Sequence, residues 1–235
     1  MNHKSGFSAF IFLIFYPYYI YKKNNKGEDS MRTEYNVDKM TTYLRGYLIG
    51  AKMEESMKAL QFAREKHAGQ TRKEGTPYII HPLRMACYAA ALDIRNDNII
   101  ATILLHDVAE DCNIPLSNLP VNDTIKTGVK YMTIEPIPGE TKEETKRRYF
   151  NQLLESREAT ITKGIDRYDN LSTMPGVLDK AAIIKNINET NDLLLPTLKR
   201  AKEKWVDLSN ILFILRTNIR SVNDILYEIY IKGNL

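Results

Sequence analysis

The stretch Asn96–Asp111, NDNIIATILLHDVAED, decides the fold. Asn96 or Asp97 suits a helix N-cap, because its short polar side chain can accept from the unpaired N–H groups of the first turn. Ile99, Ile100, Ile103, Leu104 and Val108 then recur at helical spacing, so the segment reads as a buried helix. Its end is unusual: His106, Asp107, Glu110 and Asp111 interrupt the apolar pattern where the helix should be packing. An imidazole and a carboxylate can ligate one divalent cation. The plain alternative is a polar helix end. Three acids there oppose the helix dipole, which prefers cations at its C-terminus. A bound metal would offset that cost. On the dipeptide alone both readings stand.

Working outward, helical periodicity dominates. Met53, Met57, Leu60 and Ala63 predict a helix over 53–68 that stops at Gly69. A turn-rich loop follows, with Gly75 and Pro77. His81-Pro82 opens a helix reaching Leu92, since proline suits a first helical turn. Pro115 and Pro120 mark a loop before a short helix over 121–132. Thr141 and Glu144 match a capping box. Further helices are expected over 158–171, 179–203, 205–220 and 221–232. Leu208, Ile211, Leu212, Leu215 and Ile219 form one apolar face. No strand series and no internal repeat is evident. The expected fold class is all-α, a helical bundle.

The chain of 235 residues is 43% hydrophobic and 26% charged, the composition of an ordinary globular domain. A formal charge of +4 without a dense basic run permits an anionic small molecule and argues against nucleic acid. Cys87 and Cys112 are far apart, which disfavours a thiolate zinc site and fits a reducing cytoplasm. Residues 9–21 (AFIFLIFYPYYIY) are apolar, but short for a membrane span and interrupted by Pro17, so no stable span is expected. They read as a peripheral anchor, a packed extension or sequence upstream of a true start at Met31 or Met40. Residues 22–30 read as a solvated linker. The expected division is an extension over 1–40 and one domain over 41–235.

Two further stretches bear on the chemistry. His81 follows an apolar PYII segment, and Asp166 lies in KGIDRYDN. Alone, the first is an ordinary capping or surface histidine and the second a solvated helix with internal ion pairs. Together with His106-Asp107 they run in the order H…HD…D. Residues 57–175, carrying AREKHAGQTRKEGTPYIIHP, LLHDVAED and KGIDRYDNLSTM, resemble the HD superfamily, and within it the hydrolase domain of the RelA/SpoT-type alarmone enzymes and their small stand-alone relatives. The resemblance departs at Asp169, where relatives often have histidine. It also departs at GVKYMTIEPIPGET, which lacks the usual basic Thr-Lys pair.

The resemblance implies roles residue by residue. His81, His106, Asp107 and Asp166 would hold one divalent metal, and Glu110 and Asp111 would orient and deprotonate the attacking water. Arg72 and Lys73 would meet the nucleotide, with Asn170 and Thr173 on its ribose-phosphate part. Two imidazoles and two carboxylates suit manganese, the usual ion of these relatives, with iron or zinc as alternatives. The implied activity is release of 3′-pyrophosphate from guanosine tetra- or pentaphosphate (ppGpp or pppGpp). Alternatives are hydrolysis of another nucleotide and a non-catalytic alarmone-binding domain. Only about 60 residues follow position 175, which is short of the second domain a synthetase would need. Small relatives also imply a homo-oligomer as one available state.

Overall fold

The structure is a computed structural model that describes residues 19–23, 29–33 and 36–233. The reading of residues 9–18 as anchor, extension or upstream sequence therefore lies outside the described residues. Tyr19–Lys23 (β1) pairs antiparallel with Asp29–Thr33 (β2), with Tyr21 opposite Met31. Lys22, Lys23, Asp29 and Ser30, expected in a linker, are thus strand residues. Everything described after them is helical or connecting, so the all-α class holds for the body of the chain.

The helices are α1 (Val37–Gly50), α2 (Glu54–Lys66), α3 (Ile80–Ala91), α4 (Asp97–Leu105), the single turn α5 (Val108–Asp111), α6 (Asp123–Met132), α7 (Lys142–Gln152), α8 (Arg157–Thr173), α9 (Lys180–Glu189), α10 (Leu195–Lys204) and α11 (Ser209–Tyr227). Helix α4 is the centre. Every residue from Ile99 to Leu105 is buried, and the helix packs against α2, α3, α6 and α8. Asn96 is its N-cap, accepting from the Ile99 amide at 3.1 Å. Asp97, the other candidate, caps a different helix. Its carboxylate accepts from the amides of Glu55 and Ser56 at 2.9 and 2.7 Å, satisfying the first turn of α2 across the core. This joint fixes α2 against α4.

Helix α1 was not among the helices expected. Met40, Thr41, Leu44 and Leu48 form its buried face, and Asn36 caps it. Thr141 and Glu144 form the expected capping box at the start of α7. The helix expected over 179–203 runs from α9 to α10 through a widened turn at Thr190–Leu194. Pro196 follows that turn. Its ring cannot donate and crowds the carbonyl four residues back, a common cause of such local widening. The expected break at 220–221 is absent. Leu212, Leu215, Ile219, Asn223 and Leu226 continue one buried stripe along α11 at spacings of three and four. No glycine or proline lies near Arg220 to stop it.

Among the described residues no helix is long and apolar enough to cross a membrane.

Candidate active site

Three separate segments build the site. Helix α3 supplies His81 in its first turn. The junction between α4 and α5 supplies His106 and Asp107, and the middle of α8 supplies Asp166. The α4 helix breaks at His106. Asp107 therefore sits at the N-cap of a new turn, with its carboxylate beside its neighbour's ring. Side chains at adjacent helical positions would diverge by about 100°. The break lets these two converge.

His81, His106 and Asp166 are all buried, with potential ligand atoms within 4.8 Å of one another. The Nε2 of His81 lies 3.4 Å from Asp166 Oδ1 and 3.9 Å from Asp107 Oδ2. Asp107 Oδ2 is 2.9 Å from His106 Nε2. His106 points this nitrogen inward because its other one, Nδ1, lies 2.9 Å from the Ile103 carbonyl, placed to donate to it. His106 Nε2 is buried, and Asp107 approaches it at 2.9 Å without the angles of a good hydrogen bond. Two imidazoles and two carboxylates aimed at one point are better satisfied by a shared divalent cation than by one another, so the groups present fit a metal.

The electrostatics agree. Burial opposes charge on His106, but the Asp107 carboxylate outweighs it and pushes the imidazole up to about 9. Burial likewise opposes charge on His81, and Asp166 and Asp169 overcome it, raising its pKa. Burial would raise the Asp107 and Asp166 carboxyls. His106 pulls the first below its usual range, and Lys163 with His81 pulls the second well below. The carboxylates thus favour positive charge on the imidazoles, and a bound cation would supply that charge instead.

Above this cluster opens a cavity of about 540 Å³, lined by Arg72, Lys73, Tyr78, His81, Asp107, Lys163, Asp166, Asn170 and Thr173 among others. Arg72 and Lys73 project from the loop between α2 and α3. That loop is held by the bonds Arg72 N–H to Thr76 O and Tyr78 N–H to Gln70 O, at 2.8 and 2.9 Å, with Gly75 at φ 82. The left-handed conformation at Gly75 strongly favours glycine. Arg72 reaches Asn170 Oδ1 at 3.4 Å, and its buried Nη1 forms no hydrogen bond. Helix α8 presents Lys163, Asp166, Asn170 and Thr173 to the cavity at spacings of three and four. Lys163 Nζ is 2.9 Å from Asp166 Oδ2, and Asn170 donates to Asp166 Oδ1 at 2.6 Å.

Of the sequence-derived candidates, His81, Asp107, Asp166, Arg72, Lys73, Asn170 and Thr173 line this one cavity, and His106 is buried outside the lining, with its Nε2 2.9 Å from Asp107 Oδ2. Glu110 and Asp111 are exposed on α5 and lie outside the lining. Two residues were missed. Tyr78 donates its hydroxyl to Asp107 Oδ2 at 2.5 Å, and Arg84 pairs with Asp169. Each lies three positions from His81, which was the available signal. Asp169, noted only as a departure from a pattern, lies 2.7 Å from His81 Nδ1.

The fold and the clustered imidazoles and carboxylates define a helical domain with a candidate metal site. Residues 59–130 match the HD domain family. The chain is 32% identical over 158 residues to a guanosine-3′,5′-bis(diphosphate) 3′-pyrophosphohydrolase of Aquifex aeolicus, covering 63% of this chain and 21% of that protein. It is 36% identical over 77 residues to the bifunctional (p)ppGpp synthase/hydrolase SpoT of Escherichia coli, covering 33% of this chain and 11% of SpoT. It thus spans about a fifth or less of these curated relatives. A solved structure described as a metazoan orthologue of SpoT that hydrolyses ppGpp shares the fold. The TM-score is 0.52 at 21% identity, covering 74% of this chain and 94% of that one. The match at residues 59–130 and these relatives make this stretch similar to an HD domain of (p)ppGpp-hydrolase-like type.

Proposed function

We propose that this chain is a divalent-metal-dependent phosphohydrolase that releases pyrophosphate from the 3′ position of guanosine tetra- or pentaphosphate, with manganese as the ion. The observation that carries this reading is the meeting of His81, His106, Asp107 and Asp166 beside a cavity that Arg72, Lys73 and Lys163 also line. A bound divalent ion there supplies positive charge that polarises a phosphoryl oxygen and makes water more acidic.

The chain's own groups do the rest. Arg72 and Lys73 offset the diphosphate charge, which otherwise repels an anionic nucleophile. Arginine suits either a paired contact with phosphate or stacking on a base. Asn170 and Thr173 face the ribose-phosphate part. Glu110 accepts a proton from the attacking water while Asp111 orients it. Oxygen from water bonds to the phosphorus carried on ribose O3′. The P–O3′ bond breaks, O3′ takes a proton from solvent, and pyrophosphate leaves. The substrate is a free nucleotide in the cytoplasm. The hydrolase domain begins at Val37 rather than at residue 41, because α1 starts there and buries Met40 in the core.

The test is incubation of the purified full chain with guanosine tetraphosphate and Mn²⁺, with and without a chelator. Guanosine diphosphate and pyrophosphate should appear in equal amounts, cease with the chelator and return with added Mn²⁺. Turnover of a deoxynucleotide, a cyclic nucleotide or NADPH instead would reassign the substrate. One observation favours a non-catalytic alarmone-binding reading: Glu110 and Asp111 lie outside the cavity lining. Tight binding of guanosine tetraphosphate without turnover would establish it.

A further inference from the structure

We infer that Asp169, clamped by Arg84, is a positioning residue that aims the His81 imidazole at the metal site. This rests on the reading of His81 as a ligand. Asp169 Oδ2 lies 2.7 Å from His81 Nδ1, on the side of the ring away from Asp166 and Asp107. A neutral imidazole that donates from Nδ1 keeps its Nε2 lone pair for a cation, in a fixed tautomer and orientation.

Asp169 is not itself a ligand, because its oxygens are committed elsewhere. Oδ1 accepts from Arg84 Nε at 2.7 Å, and Oδ2 accepts from Arg84 Nη2 as well as facing His81. This two-pronged guanidinium grip sets the plane of the carboxylate. The residues sit on the helices that supply the ligands. Asp169 is three positions after Asp166 on α8, and Arg84 three positions after His81 on α3. The clamp therefore ties α3 to α8 one turn from the site. The side chains of Arg84 and Asp169 are only 12% and 11% exposed. Sequestered ion pairs seldom add net stability over apolar packing, so a role in orientation explains this one better. Arg72 Nη1 lies 3.9 Å from the same Asp169 oxygen, so the carboxylate also draws the cavity's arginine toward the site.

The experiment is Mn²⁺ titration of the metal-free full chain, with free Mn²⁺ followed by electron paramagnetic resonance and thermal unfolding recorded without metal. Asp169→Asn keeps the shape but loses the charge and one acceptor oxygen. Its Mn²⁺ affinity should fall by about 10–100-fold, the usual consequence of losing such a partner, while the metal-free helical signal is retained. Equal affinity in wild type and variant overturns the inference alone. No Mn²⁺ binding by the wild type overturns the metal-site reading and the inference together. If Asp169→Asn does not fold, Arg84→Lys decides. That variant keeps the charge but loses the two-pronged grip, so weaker Mn²⁺ binding with intact helicity supports the clamp, and unchanged binding overturns it.

Discussion

The two walls of the cavity deliver their polar groups by opposite means. On one side the α4 helix breaks, so that His106 and Asp107, neighbours in sequence, turn toward one point. On the other, α8 runs unbroken from Arg157 to Thr173 and offers Lys163, Asp166, Asn170 and Thr173 along a single face. A break concentrates ligands at one spot. An intact helix spreads them along about 15 Å, at 1.5 Å per residue. Under the proposed function, the broken wall and Asp166 would serve the reacting phosphorus and the rest of the continuous wall the length of the substrate.

The largest effect should come from the broken wall. Asp107→Ala should abolish metal-dependent hydrolysis while far-ultraviolet circular dichroism stays helical. Equal metal content and turnover in the variant would remove Asp107 from the site. Next comes the turn beyond it. Glu110→Gln should keep the metal and lose at least about a hundredfold in kcat, the scale of general-base loss. A near-normal rate would show that the exposed α5 acids take no part.

The continuous wall is tested from behind. Gly164 lies on the buried side of α8, and a Cβ there would sit 2.6 Å from Leu215 Cδ2, on a fully buried side chain of α11. Gly164→Ala should destabilise the fold by about 1–3 kcal/mol, the range for overpacking, despite alanine's better helix propensity. Denaturant unfolding checks this, and an unmoved midpoint would mean that α8 and α11 are not closely packed.

The smallest effect concerns the shared site and follows from charge. The His106 pKa rises from 6.5 to about 9 in the metal-free protein. Its contribution to metal-free stability is therefore full below 6.5 and lost as pH rises through about 9. A metal must displace that proton. Apparent Mn²⁺ affinity should thus rise about tenfold from pH 7 to pH 8 for one proton released. A flat profile would show that metal binding displaces no proton over this range.

Local chemistry made much of this legible. The stripe from Ile99 to Leu105 and the caps at Asn96 and Thr141 required only neighbours within a turn or two, so the helical class and several helix starts could be read directly. The polarity at His106-Asp107 was also visible, but one helix was expected to run through to Asp111, and the break there was not read. Periodicity states which face of a helix is apolar, but not what that face meets. Only the tertiary structure decided that Asp97 caps α2 rather than its own helix, and that Asn223 and Leu226 carry α11 past residue 220. It alone turned Asp169 toward His81 rather than solvent. Caps and stripes arise from hydrogen bonds and contacts a few residues apart. The pairing of α3 with α8 spans more than 80 positions, and its partners are chosen by how the whole core packs.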